Sequence, residues 1–285
     1  MQRAGLRIGF AATVVAGVGG ALLGATYAGR ELLHRQANHA RSLIGKPLGE
    51  NAPKADKVYR KRYAGPPHEL LMLGDSLAAG LGADLPAETL GARLAKGMAK
   101  ATRRRVRLRT AAVVGSESSA LAGQVDSLPE RYRPDVAVIV VGGNDVTHRV
   151  PVAESVAHLE KAIASMQERG ASVVVGTCPD LGALRAVPQP LRTVGSLASR
   201  QLAEAQRQAA LAAGAHVVMM AQVAGPFFVE SPEEMFSLDQ FHPSSLGYRR
   251  TAKAMLPSVL RALGHEPPVV PPGHHAPGHH APGPA

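Results

Sequence analysis

The chain has 285 residues with a formal net charge of +10 and a pI near 10.2; hydrophobic residues make up 45% and aromatics 4%, with no tryptophan. That length suits one domain of about 200 residues with appendages, and the apolar fraction excludes a disordered chain while leaving the core to aliphatic side chains and alanine. Cys178 is the single cysteine, which excludes an intrachain disulfide, and we read the positive charge as composition rather than as a nucleic-acid surface.

Arg3 and Arg7 precede a stretch, residues 8–28, that carries no charge. As a helix it would be about 31 Å long, enough to cross the hydrocarbon core of a bilayer. Residues 1–30 are therefore expected to be a signal anchor in the cytoplasmic membrane with the rest of the chain outside, or a cleaved signal of a secreted protein if Thr26-Tyr27-Ala28 is cut. Residues 31–66 are polar and basic, with room for one short helix, and Pro53 and Pro66-Pro67 punctuate the run; they predict a linker or a surface collar leading to the first strand.

From 67 to 265 strand and helix patterns alternate. Strands are predicted at 69–74, 106–114, 135–141, 172–177 and 215–220, and helices at 87–101, 117–127, 152–169, 195–213 and 244–263. Such alternation predicts an α/β domain of parallel strands with helices on both faces. The dense basic run Arg103-Arg104-Arg105-Val106-Arg107-Leu108-Arg109 fits an edge strand whose arginines face solvent. Residues 266–285 repeat Pro-Gly-His-His-Ala and predict a disordered tail. Its paired histidines have no Cys or carboxylate beside them, so no dedicated metal site is predicted.

The chemistry gathers at the ends of the predicted strands. The run Leu70-Leu71-Met72-Leu73 is followed by Gly74, which allows a sharp turn into Asp75-Ser76 and sets a serine at the crevice of an open α/β sheet. A serine hydroxyl needs a base, an orienting carboxylate and oxyanion donors before it acts as a nucleophile. Asp239 precedes His242 by three residues, a spacing that lets a turn fold the carboxylate onto the imidazole. The strand ending at Val141 runs into Gly142-Gly143-Asn144-Asp145, where the Asn144 carboxamide is a donor at the same sheet edge. Gly115, after the strand ending near Val114, offers a backbone N–H that no side chain shields. Asp75, Gly143 and His148 are further candidates for touching substrate. Phe227, Phe228, Met235 and Phe236 concentrate scarce large apolar surface, and fit core packing under a loop better than an acyl pocket.

These blocks, Gly74-Asp75-Ser76-Leu77, Gly115, Gly142-Gly143-Asn144-Asp145 and Asp239 with His242, in this order, resemble the SGNH (GDSL) hydrolase family, in the layout of an exported or membrane-anchored esterase of the actinobacterial type. The resemblance implies a flavodoxin-like three-layer α/β/α sandwich with a five-stranded parallel sheet in the order 2-1-3-4-5. It also implies Ser76 as nucleophile, His242 as base, Asp239 as its orienting acid, and Gly115 with Asn144 as the oxyanion hole. No cofactor or metal is implied. The expected substrate is a small ester with a short acyl chain, with O-acetylated envelope glycans or lipids as the alternative. An acyltransferase or a non-catalytic envelope-binding module is a rival; loss of Ser76, His242 or Asp239 would favour the latter, and none is lost. Oligomeric state is not legible.

Overall fold

The computed structural model describes residues 28–39, 42 and 48–265. Residues 1–27, which hold nearly all of the predicted anchor, and the tail 266–285 lie outside the described residues. Among the described residues no helix is long and apolar enough to cross a membrane.

The sheet is built from β1 (Val58–Tyr59), β2 (His68–Gly74), β3 (Val106–Thr110), β4 (Val136–Val140), β5 (Ser172–Gly176) and β6 (His216–Val218), in the order β1-β3-β2-β4-β5-β6. The last five in that order are mutually parallel. The middles of β2, β4 and β5 (Leu70–Leu73, Val136–Val140 and Val173–Val175) are unbroken apolar runs because helices cover both faces of the sheet. Side-chain alternation divides them cleanly. Leu70, Met72, Val138 and Val140 face one core with α2 (Leu90–Thr102) and α10 (Ser245–Ala262). Leu71, Leu73, Ala137 and Ile139 face the other with α3 (Leu121–Asp126), α5 (Val152–Glu168) and α6 (Leu191–Ala212). Fully burying each such aliphatic side chain is worth about 1.5–3 kcal/mol, so the sheet is the rigid frame of the molecule.

The sheet has six strands, one more than the sequence pattern and the family resemblance imply. The additional strand, β1, lies inside the segment whose composition predicts a linker, and pairs antiparallel with β3, Val58 opposite Arg107 and Tyr59 opposite Val106. It covers the edge that the basic run would otherwise present: Leu108 N–H donates to Lys57 O at 3.0 Å and Thr110 N–H to an Asp56 carboxylate oxygen at 3.0 Å. Strand β3 is thus an inner strand, although Arg107 still faces solvent between buried Val106 and Leu108. A second part of that segment, residues 31–39, continues a helix that begins at residue 28 and docks on the domain. Gln36 Nε2 donates to Gln189 O at 2.5 Å, and its Oε1 accepts from Leu191 N–H at 3.1 Å.

Gly74, Val140, Gly176 and Val218 stand in register, so β2, β4, β5 and β6 end level at their carboxyl edge. The chain reverses direction across the sheet between β2 and β4, the switch point at which open α/β sheets bind ligands.

Candidate active site

Ser76 is placed by a glycine that admits no substitute. Gly74 has φ +125°, and a Cβ there would lie 1.8 Å from the carbonyl oxygen of Val140. Gln124, on α3, clamps the turn: Gly74 N–H donates to its Oε1 at 2.8 Å and its Nε2 donates to Gly74 O at 2.7 Å. Asp75 N–H reaches Val140 O at 3.1 Å. Its carboxylate caps the short helix α1 (Ser76–Ala79) by accepting from Leu77 N–H at 2.9 Å. Ser76 thereby opens α1 with its hydroxyl above the sheet edge.

His242 and Asp239 come from a turn just before α10, tied by Ser237 N–H donating to His242 O at 2.8 Å and by a bridge between Phe236 and Pro243. Asp239 is buried. One oxygen accepts from the backbone N–H of Phe241 (3.0 Å) and His242 (2.9 Å), and the other lies 2.5 Å from His242 Nδ1. Burial alone would raise this carboxyl, but the bonds from the His242 ring and the two backbone N–H groups outweigh it and hold the group below the usual range. An ionised acceptor at Nδ1 fixes the proton there, leaving Nε2 to accept from the Ser76 hydroxyl at 2.9 Å. Three side chains drawn from positions up to 166 residues apart thus form one hydrogen-bonded chain.

The Gly142–Asp145 block opens α4 (Gly143–His148) next to Ser76. Asn144 Nδ2 donates to Ser116 O at 2.9 Å, and both Asn144 and Gly143 line the same cavity as Ser76. Gly115, exposed with φ +81°, lies on an adjoining groove that also borders His242. His148 is exposed on that groove, its Nδ1 2.7 Å from Glu117 Oε1. The cavity at Ser76 measures about 90 Å³ and is mainly apolar, lined by Leu181, Leu184, Met220, Phe228, Phe236 and Phe241 among others. Phe228 and Phe236 serve two ends, packing edge-on at 5.0 Å over buried Met235 while forming the cavity wall. Cys178 is buried, and burial pushes its thiol well above the usual value, as expected of a packing residue. Among the described residues no cluster of three His, Cys, Asp or Glu side chains could hold a metal ion.

Asp75 is the carboxyl of the site that burial perturbs upward. Burial, assisted by nearby Asp145, pushes its carboxyl up to about 6, against the opposing N–H groups of Leu77 and Gly142 and the proximity of His242. A pKa higher in the fold than in the unfolded chain means that the stabilising contribution is complete below about pH 4 and is lost as pH rises through about 6. Asp75→Asn removes this titration. Wild type should therefore lose on the order of 3 kcal/mol relative to the variant between pH 4 and pH 7. Urea unfolding of both proteins across that window reads the difference; a constant gap would return Asp75 to an ordinary carboxyl.

Several supporting residues carry no motif. Gln206, on α6, mirrors Gln124: its Nε2 donates to Val141 O at 3.0 Å and its Oε1 accepts from Cys178 N–H at 2.7 Å, holding the ends of β4 and β5. Both glutamines interrupt an apolar helical stripe (Leu121, Val125 and Leu128; Leu202, Ala203 and Ala210), and that mismatch is the signal by which sequence can find them. Fully buried Asp145 accepts from the backbone N–H of Ser118 at 3.1 Å and from its hydroxyl, binding the Gly115 loop to α4. Asp180 secures the loop over the cavity by accepting from Gly182 N–H (2.8 Å), Ser196 Oγ (2.7 Å) and Arg200 Nε (2.8 Å).

The family profile described as GDSL-like lipase/acylhydrolase matches residues 72–250. A GDSL-like esterase of Mycobacterium tuberculosis is 39% identical over 287 aligned positions, which cover 92% of this chain and 90% of that protein. Among solved structures, a psychrotrophic esterase from Pseudoalteromonas sp. is 22% identical with a TM-score of 0.55, over 70% of this chain and all (100%) of the other. An acetylxylan esterase from Geobacillus stearothermophilus, solved as a catalytic mutant, is 19% identical with a TM-score of 0.52, over 72% of this chain and 97% of the other. At those identities the solved structures carry the fold alone, whereas the profile and the mycobacterial relative carry kinship. The chain belongs to the GDSL-like lipase/acylhydrolase family, enzymes that hydrolyse ester bonds.

Proposed function

We propose that the chain is a serine esterase acting on carboxylic esters with short acyl groups through an acyl-enzyme. The hydrogen-bonded chain Ser76–His242–Asp239 at the mouth of an apolar cavity carries this reading. Ser76 Oγ attacks the ester carbonyl as its proton passes to His242 Nε2, and Asp239 stabilises the resulting imidazolium. The oxyanion takes hydrogen bonds from Ser76 N–H, Gly115 N–H and Asn144 Nδ2. Collapse breaks the ester C–O bond, and the His242 proton leaves with the alkoxide. Water then gives a proton to His242 and attacks the acyl carbon; the carboxylic acid departs and Ser76 regains its proton.

Size supports a short acyl group. The cavity of about 90 Å³ is smaller than the ~150 Å³ that accommodates benzene in a protein core. Hydrolysis of a series of acyl esters by the purified protein, beside Ser76→Ala, tests the proposal; equal activity in the two proteins would refute it. Asn144→Ala should lower kcat by about 10²–10³ with little change in KM, since an oxyanion donor acts mainly in the transition state. Unchanged steady-state kinetics would remove Asn144 from that role. For location we propose an exported protein held at the cytoplasmic membrane by residues 8–28, on the strength of that uncharged stretch behind two arginines.

A further inference from the structure

Two spaces of very different size meet at His242. One is the cavity of about 90 Å³ that holds Ser76 and Asn144. The other is a groove of about 1740 Å³ that borders His242, Asp239 and Gly115 and runs away from the cavity between the helix over residues 28–39, the Gly115 loop and α6. His242, Phe241, Leu181 and Leu184 line both. Building on the esterase reading, we infer that the small cavity takes the acyl group and the groove takes the alcohol, so that the substrate is a short-chain acyl ester of a bulky aliphatic alcohol.

The order of events in the reaction decides which side is which. The acyl group stays on Ser76 while the alcohol leaves, and water must then occupy the place the alcohol vacated, beside His242 Nε2. The alcohol side therefore needs the wide exit and the acyl side does not. Lining decides the chemistry of the alcohol. Leu33, Leu81, Val113, Val146, Leu191 and Val194 face the groove, and Val113 and Val194 remain 54% and 46% exposed, unusually open for valines. Arg30, Glu31, His34, Asn51, Arg149 and Arg192 border the same groove; against the six apolar side chains, however, a sugar hydroxyl would lose water without gaining a hydrogen bond, whereas alkyl carbons gain by leaving it.

Alkyl acetates test this with the full-length protein, because ethyl, butyl and hexyl acetate share one acyl group and nearly one leaving-group basicity. Each methylene that leaves water fully is worth about fourfold, so partial burial should raise kcat/KM at least about tenfold from ethyl to hexyl acetate. With ethanol as the constant alcohol, lengthening the acyl group from acetyl to octanoyl should lower kcat/KM by about tenfold or more as the cavity fills. Val194→Asp, at a half-exposed position that tolerates a charge, should reduce the hexyl-to-ethyl ratio several-fold. Ser76-dependent hydrolysis that rises with acyl length, or is indifferent to the alcohol, would overturn this inference and leave the esterase reading standing. Absence of Ser76-dependent hydrolysis of every ester would overturn both.

Discussion

Ser76→Ala and His242→Ala should each lower kcat by about 10⁶, and the double variant should fall no further, because attack and proton transfer are one event shared by two side chains. Asp239→Ala should fall less, by about 10⁴. Its carboxylate never takes the proton; it holds the Nδ1–H tautomer through the 2.5 Å contact and stabilises the imidazolium. The ranking is measured on a small activated ester with proteins shown to be folded by circular dichroism. An Asp239 variant as inactive as the other two would mean that the turn Ser237–His242 collapses without its anchor, since two backbone hydrogen bonds of that turn end on Asp239; Asp239→Asn, which retains an acceptor for them, separates the two effects. Near-native turnover in His242→Ala would refute the base assignment.

Gly74→Ala should be the most damaging single methyl in the molecule. A Cβ 1.8 Å from Val140 O meets backbone at the centre of the sheet, and neither strand can move without breaking the register that levels the site. The expected loss is about 4 kcal/mol or more, out of a total that is about 5–15 kcal/mol for a typical domain. Gly115→Ala is the control. It too has a positive φ, +81°, but nothing lies within 4 Å of its Cβ, so it should cost only about 1–2 kcal/mol of backbone strain. Urea denaturation reads both; a Gly74→Ala loss under about 1 kcal/mol would show that the turn can be remade.

Parts of this arrangement are legible in the amino-acid sequence and parts are not, for physical reasons. Strand β4 announces itself because a central parallel strand must be apolar on both faces, and the residues that follow it must turn, hence Gly142-Gly143. Ser76, Asp239 and His242, the residues proposed for catalysis, stand out in the sequence because each sits at a turn beside the sheet edge, where the chain is short of options. Strand β1 is not, since two residues are too few for any period, and Val58 and Tyr59 matter only by covering β3. Gln124 and Gln206 show in the sequence only as polar interruptions of apolar helical stripes, with nothing to say that they fasten the turns that carry the site. Residues 31–39 have the composition of a linker because the described contacts that dock them are polar, the Gln36 hydrogen bonds to Gln189 and Leu191, while Leu33 and Ala37 line the groove. Phe228 and Phe236 fit packing by their sequence context and line the cavity as well, a division of labour that no linear pattern encodes.

The most direct measurement is to trap the acyl-enzyme. The full-length protein is mixed rapidly with a p-nitrophenyl short-chain ester, quenched in acid and digested, and the peptide carrying the acyl mass is identified. One acyl group per chain is expected, on Ser76, preceded by a burst of p-nitrophenolate of matching size and absent from Ser76→Ala. Turnover that persists with no acyl-enzyme, or an acyl group carried by another residue in the active protein, would contradict it.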